Sequence, residues 1–166
     1  MFPITYRYQY NYVVQGDEYW ITGVLRTRIA TALKKADAQH ITIETQRVAI
    51  EGRFLSILYP NWRLFSVISK GEVAVTCQSG RLSVTAEINF IGLMLFALCA
   101  SVFPIMVAPG FLGLLGVWLG LVWVWLFGAN VLLASFRFRG FMRNQLSQFF
   151  DFATSAGVHG RLITSR

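Results

Sequence analysis

Polar and apolar positions along this chain change period several times, and each change predicts an element. Residues 2–13 alternate strictly: Phe2, Ile4, Tyr6, Tyr8, Tyr10 and Tyr12 fall on one side, Thr5, Arg7, Gln9, Asn11 and Val13 on the other. A period of two with this many aromatics predicts a half-buried strand. Gln15-Gly16-Asp17 ends it, and Asp17 stands where a helix cap is needed. The period then lengthens. Ile21, Val24, Leu25, Ile29, Ala32, Leu33 and Ala36 recur at i, i+3 and i+4 spacing, with Glu18 near the positive end of the helix dipole and Lys34-Lys35 near the negative end.

Five short runs follow that read as strands: 41–45, 47–54, 64–69, 72–77 and 82–88. Lys70-Gly71 and Gln78-Ser79-Gly80 are the expected hairpin turns. The order β-α-β-β-β-β-β over residues 1–87 predicts an α+β domain, an antiparallel sheet with one helix packed across a face. A loop at Pro60-Asn61 carries Leu58, Tyr59 and Trp62, to which the pattern assigns no place.

At Ile88 the alternation gives way to continuous apolarity. From Ile88 to Phe136, forty-nine consecutive positions hold no Asp, Glu, Lys, Arg or His. A helix rising about 1.5 Å per residue crosses the hydrocarbon core in some 20 residues. The run is thus long enough for two crossings, and Pro109-Gly110 breaks it near the middle. The expectation is a two-helix transmembrane hairpin with spans at 88–108 and 111–136. Span two has sides: Gly113, Gly116, Gly120 and Gly128 share one helical stripe, and Trp118 and Trp125 fall nearly opposite. Span one offers Gly92, Ala97 and Ser101, small residues that let helix backbones approach closely. These, with Asn130 as an interhelical hydrogen-bonding group, are the expected packing residues. The glycine stripe either closes the hairpin on itself or faces a partner subunit, and Trp118 and Trp125 contact lipid or protein accordingly.

Beyond the spans the helical period returns with charge. Phe138, Phe141, Phe149 and Phe150 recur on one side, with Arg139 and Arg143 between them, so 137–156 reads as an amphipathic helix in the headgroup region. A helix packed on the N-terminal domain fits the same spacing. Arg137, Arg139 and Arg143 are the expected headgroup contacts, the four phenylalanines the expected partner or lipid contacts, and 157–166 a polar tail.

Charge sets the orientation. Residues 1–87 hold ten Lys/Arg against seven Asp/Glu, and 137–166 five Arg against one Asp, while the connection between the spans has no charge. By the positive-inside rule both termini are cytoplasmic. The start, MFPITYRYQY, lacks the basic and apolar regions of a signal peptide. Cys77 and Cys99, one in a strand and one in a span, read as reduced small hydrophobes.

Candidate chemistry adds little. No CxxC, HExxH, GxSxG, P-loop or GxGxxG occurs, and the carboxylates are scattered singly along strands. No catalytic, metal or cofactor-binding residues are expected, beyond a bound lipid or apolar pigment. The cations of the first helix are diluted by acids, which argues against nucleic acid and for an anionic leaflet. The reading is of a non-enzymatic accessory subunit of a larger membrane assembly, with membrane lipids and other integral subunits as partners. A self-associating scaffold or pore-former, or a tethered peptide- or lipid-binding module, is the alternative.

Overall fold

The computed structural model describes residues 5–36, 38–51, 68–107, 118–121, 123–155 and 158–165. The chain runs β1 (Thr5–Gln15), α1 (Glu18–Lys35), β2 (Gln39–Ile43), β3 (Arg47–Glu51), β4 (Lys70–Gln78), β5 (Arg81–Asn89), α2 (Ile91–Val107), a π-helical segment (Trp123–Ala129), α3 (Asn130–Ser155) and β6 (His159–Ser165). The strands form one sheet in the order β2-β3-β4-β5-β1-β6, every neighbouring pair antiparallel.

The strict alternation of β1 becomes a two-sided sheet. Tyr10 lies opposite Val84 and Tyr12 opposite Leu82, while Val84 also faces Val75 and Ala86 faces Val73. All of these are buried. The neighbouring residues Gln9, Thr85, Asn11 and Ser83 line the other face, which no described helix covers. One face therefore carries the core. α1 brings Ile21, Leu25, Ile29 and Leu33 onto it, each fully buried. Asp17 caps that helix as expected, its carboxylate accepting the Tyr19 N–H at 2.9 Å.

Gln78-Ser79-Gly80 makes the expected turn. Ser79 and Gly80 take φ +51° and +72°, the pair of positive angles that joins twisted strands in a two-residue hairpin. Lys70-Gly71 does not turn. It is the start of β4, with Gly71 opposite Ile50 and Ile88. A Cβ on Gly71 would meet Ile50 Cδ1 at 3.4 Å, an ordinary contact inside the sheet. Of the expected strand at 64–69, residues 64–67 lie outside the described residues, and Ile68 and Ser69 lead into β4.

The larger corrections concern the C-terminal third. Residues 157–166 were expected to form a free polar tail, yet His159–Ser165 is the sixth strand, paired with β1 from Gln15 to Tyr10. Nor does the 137–156 helix stand apart from the N-terminal domain. It belongs to α3, whose Phe138, Met142, Leu146, Phe149 and Ala153 are wholly buried in the core that β1 and α1 share. Most of that apolar face is covered by the sheet and α1, although Phe152 stays exposed. The domain thus includes strands from both sides of the apolar region.

The apolar run is also reshaped. Ile88 and Asn89 end β5, so helix begins at Ile91. Among the described residues one helical stretch, Trp118–Ser155, is long and apolar enough to cross a membrane by length and composition. The expected pair of spanning helices is found here as one: α2 has 17 residues, and 108–117 lies outside the described residues.

Candidate functional site

The distinctive place in this structure is the junction where the sheet becomes the apolar helices. A helix start leaves N–H groups without partners, and a buried one must satisfy them locally. Here β5 does so. The Asn89 side chain accepts the Ile91 N–H at 2.8 Å, and Ser69 Oγ, just before β4, accepts the Gly92 N–H at 2.7 Å. The Ser69 N–H in turn donates to the Asn89 carbonyl at 2.9 Å. Phe90, fully buried, meets Tyr6 edge-to-face with ring centroids 5.8 Å apart. α2 therefore leaves the sheet with no flexible residue between.

The return path is equally fixed. Tyr8 donates its hydroxyl proton to the Ser135 carbonyl at 3.3 Å, and Tyr10 to the Arg139 carbonyl at 3.5 Å. Tyr8 stacks against Phe138 at 6.4 Å and Tyr12 against Phe150 at 4.4 Å. The tyrosine ladder of β1 is thus the bed of α3. Burial pushes the Tyr10 phenol up, against the pull of Arg139, and burial with neighbouring Tyr10 raises Tyr12. These hydroxyls are structural groups held protonated.

Within the apolar helices the described contact face includes Ala97, one of the expected packing residues, but neither Gly120 nor Trp125. Trp123 meets Phe127 edge-to-face at 5.4 Å, and Phe127, Val131 and Ala134 are buried together with Leu93 and Ala97 of α2. This stripe runs on through Phe138, Met142, Leu146, Phe149 and Ala153, so one continuous seam packs first on α2 and then on the sheet. The glycine stripe was placed by assuming ordinary α-helical winding. The π-helical segment Trp123–Ala129 bonds i to i+5 and turns less per residue, which moves the seam.

The expected packing residues divide accordingly. Gly92 and Ala97 are buried in the junction. A Cβ on Gly120 or Gly128 would meet no described atom within 4 Å, and Asn130 is half-buried. Gly113 and Gly116 lie outside the described residues, as does the side chain of Ser101. Trp118 and Trp125 are 58% and 73% exposed, alongside Leu121, Val124, Leu132, Leu133 and Phe136. Of the four phenylalanines expected to meet lipid or partner, Phe138 and Phe149 are core residues, and Phe141 and Phe150 pack half-buried against them. Arg137, Arg139 and Arg143 are all exposed, but α3 carries Arg143 about 10 Å below Phe136.

Among the described residues no cluster of three His, Cys, Asp or Glu side chains could hold a metal ion. Cys77 is half-buried, its thiol pushed up by burial and by Glu18, and Cys99 is exposed on α2. Arg47 joins Glu44 and reaches Glu72 at 3.4 Å on the open sheet face. Comparison with protein families, with curated proteins and with solved structures finds no match to this chain.

Proposed function

We propose that this chain is a two-pass integral membrane protein with both termini cytoplasmic, serving as a non-catalytic subunit of a larger membrane assembly. One observation carries the topology. β1 precedes the apolar region, β6 follows it, and the two are hydrogen-bonded neighbours in one sheet. Strands on opposite sides of a bilayer cannot pair. If the apolar part of Trp118–Ser155 crosses the membrane, the chain must cross an even number of times, and α2 is the other apolar helix among the described residues. Burial argues for that crossing: only 25% of the most apolar window of Trp118–Ser155 is buried within the chain, unlike the core helix of a water-soluble fold. The basic flanks favour the cytoplasmic side for both termini.

The subunit role is supported by what the helices leave uncovered. Trp118, Leu121, Val124 and Trp125 are exposed and apolar, and the helix that continues from them is bonded to the sheet through Tyr8 and Tyr10. Such a body suits attachment and fit. Purification in mild detergent followed by native mass spectrometry tests this: a stoichiometric second membrane subunit supports it, and a monodisperse monomer from native membranes refutes it. A self-associating scaffold is favoured instead by the bare glycines. Gly120→Ile with Gly128→Ile should then abolish crosslinked homo-oligomers, and unchanged crosslinking removes that reading.

A further inference from the structure

The register of the sheet orders the described strand residues between two rims. Thr5, Asn89, Lys70, Glu51 and Gln39 lie opposite one another across β1, β5, β4, β3 and β2, so they form one rim, the one from which α2 departs. The far rim is marked by Gly80, whose N–H donates to Glu18 Oε1 at 2.7 Å. α1 therefore starts at the far rim. Its 18 residues rise about 26 Å toward the near one and end at Lys34-Lys35, directly before β2. Both side chains are exposed, and among the described residues neither ammonium has an acidic partner.

From this placement we infer that Lys34 and Lys35 dock on anionic phospholipid headgroups and form a second foot of the domain on the bilayer, opposite the Arg137 end of α3. The inference rests on the two-pass reading. It replaces Arg143, which α3 carries away from the lipid, with cations that sequence order put far from any span. Lys70 stands on the same rim, where Glu51 neutralises it at 3.8 Å. Asp37 is the nearest other acid in sequence, and it lies outside the described residues. Lysine suits the task, because a flexible stem lets a compact charge reach up to a headgroup. A lipid surface is the occupant because the same rim emits the apolar helices, and a cytoplasmic leaflet is anionic.

The test reconstitutes the full chain in phosphatidylcholine vesicles with a minor fraction of phosphatidylglycerol. Spin-labelled lipids report the relative association constant of the anionic over the zwitterionic lipid. The wild type should show enrichment that falls about fivefold for each lysine removed at the headgroup site it serves, as expected of a Lys near a charged surface. Lys34→Gln with Lys35→Gln should lose it, Lys34→Arg with Lys35→Arg should keep it, and Arg81→Gln with Arg143→Gln, away from the near rim, should keep it too. Enrichment unchanged in the double glutamine variant overturns the inference, as does equal loss in the Arg81/Arg143 variant, which would make it a matter of net charge. Alkaline extraction runs in parallel: a wild type released by carbonate overturns the membrane reading itself, whereas a retained one confines any failure to the lysines.

Discussion

Replacing Gly160 by alanine is the sharpest probe of how the C-terminal strand closes the domain. Gly160 sits in β6 opposite Val14, beneath α3. A methyl there would fall into the ring of Phe150, against Cε1 and Cδ1, with Cζ at 3.1 Å. The ring cannot swing aside freely, since it stacks on Tyr12 at 4.4 Å and on Phe149 at 5.4 Å. Overpacking of this kind costs about 1–3 kcal/mol. Because β6 is an edge strand, the cost should appear as local release rather than global unfolding. At about 2 kcal/mol, amide exchange in β6 and in the Tyr12–Gln15 end of β1 should speed up about 30-fold. The β4–β5 amides should be unchanged. Adding Phe150→Leu should restore much of the protection, since the two changes share one contact and cannot be additive. Native-state exchange read by mass spectrometry measures all three. Exchange in β6 that is indifferent to Gly160→Ala, or a double variant whose effects simply add, would refute the docking described.

Other substitutions test other parts of the argument. Gly80→Ala forces a side chain into φ +72° and sets its Cβ 3.2 Å from the Val14 carbonyl, so chemical denaturation should show a loss of about 1–2 kcal/mol. Phe138→Ala empties the fully buried site where α3 packs on Tyr8 and should cost about 3–5 kcal/mol in the same assay. Phenols held above their ordinary value contribute stability that is complete below about pH 10 and is lost as pH rises through the folded value. Alkaline unfolding followed by tyrosinate absorbance should therefore be cooperative, and Tyr12→Phe should shift its onset to higher pH.

The sheet was legible because its signal is local. Alternation in β1, the Asp17 cap and the Gln78-Ser79-Gly80 turn each follow from neighbouring residues, and each is found. What misled was long-range. An amphipathic helix shows that one face must be covered and says nothing of what covers it, so the phenylalanines of α3 read equally well toward lipid or sheet. β6 was missed because His159–Ser165 is short, without period-two alternation, and becomes a strand only where β1 offers its free edge. Lys70-Gly71 misled for the opposite reason: glycine occurs in turns and strands alike, and only the pairing with Ile50 decides between them. The packing seam of the apolar helix was hidden by the π-helical segment. The tyrosine-to-carbonyl bonds joining β1 to α3 span more than 120 residues, beyond any local signal.

Cysteine-accessibility mapping tests the central claim, that sheet pairing across the apolar region forces two crossings. With Cys77 and Cys99 replaced, a single cysteine is placed at Ala108 in one variant and at Ser83 in another, each labelled with a membrane-impermeant maleimide in intact cells and in inverted vesicles. Ala108→Cys should react only from the outside and Ser83→Cys only in the inverted vesicles. Reaction of both from the same side would contradict the account, because residues 91–135 would then not pass through the bilayer and return.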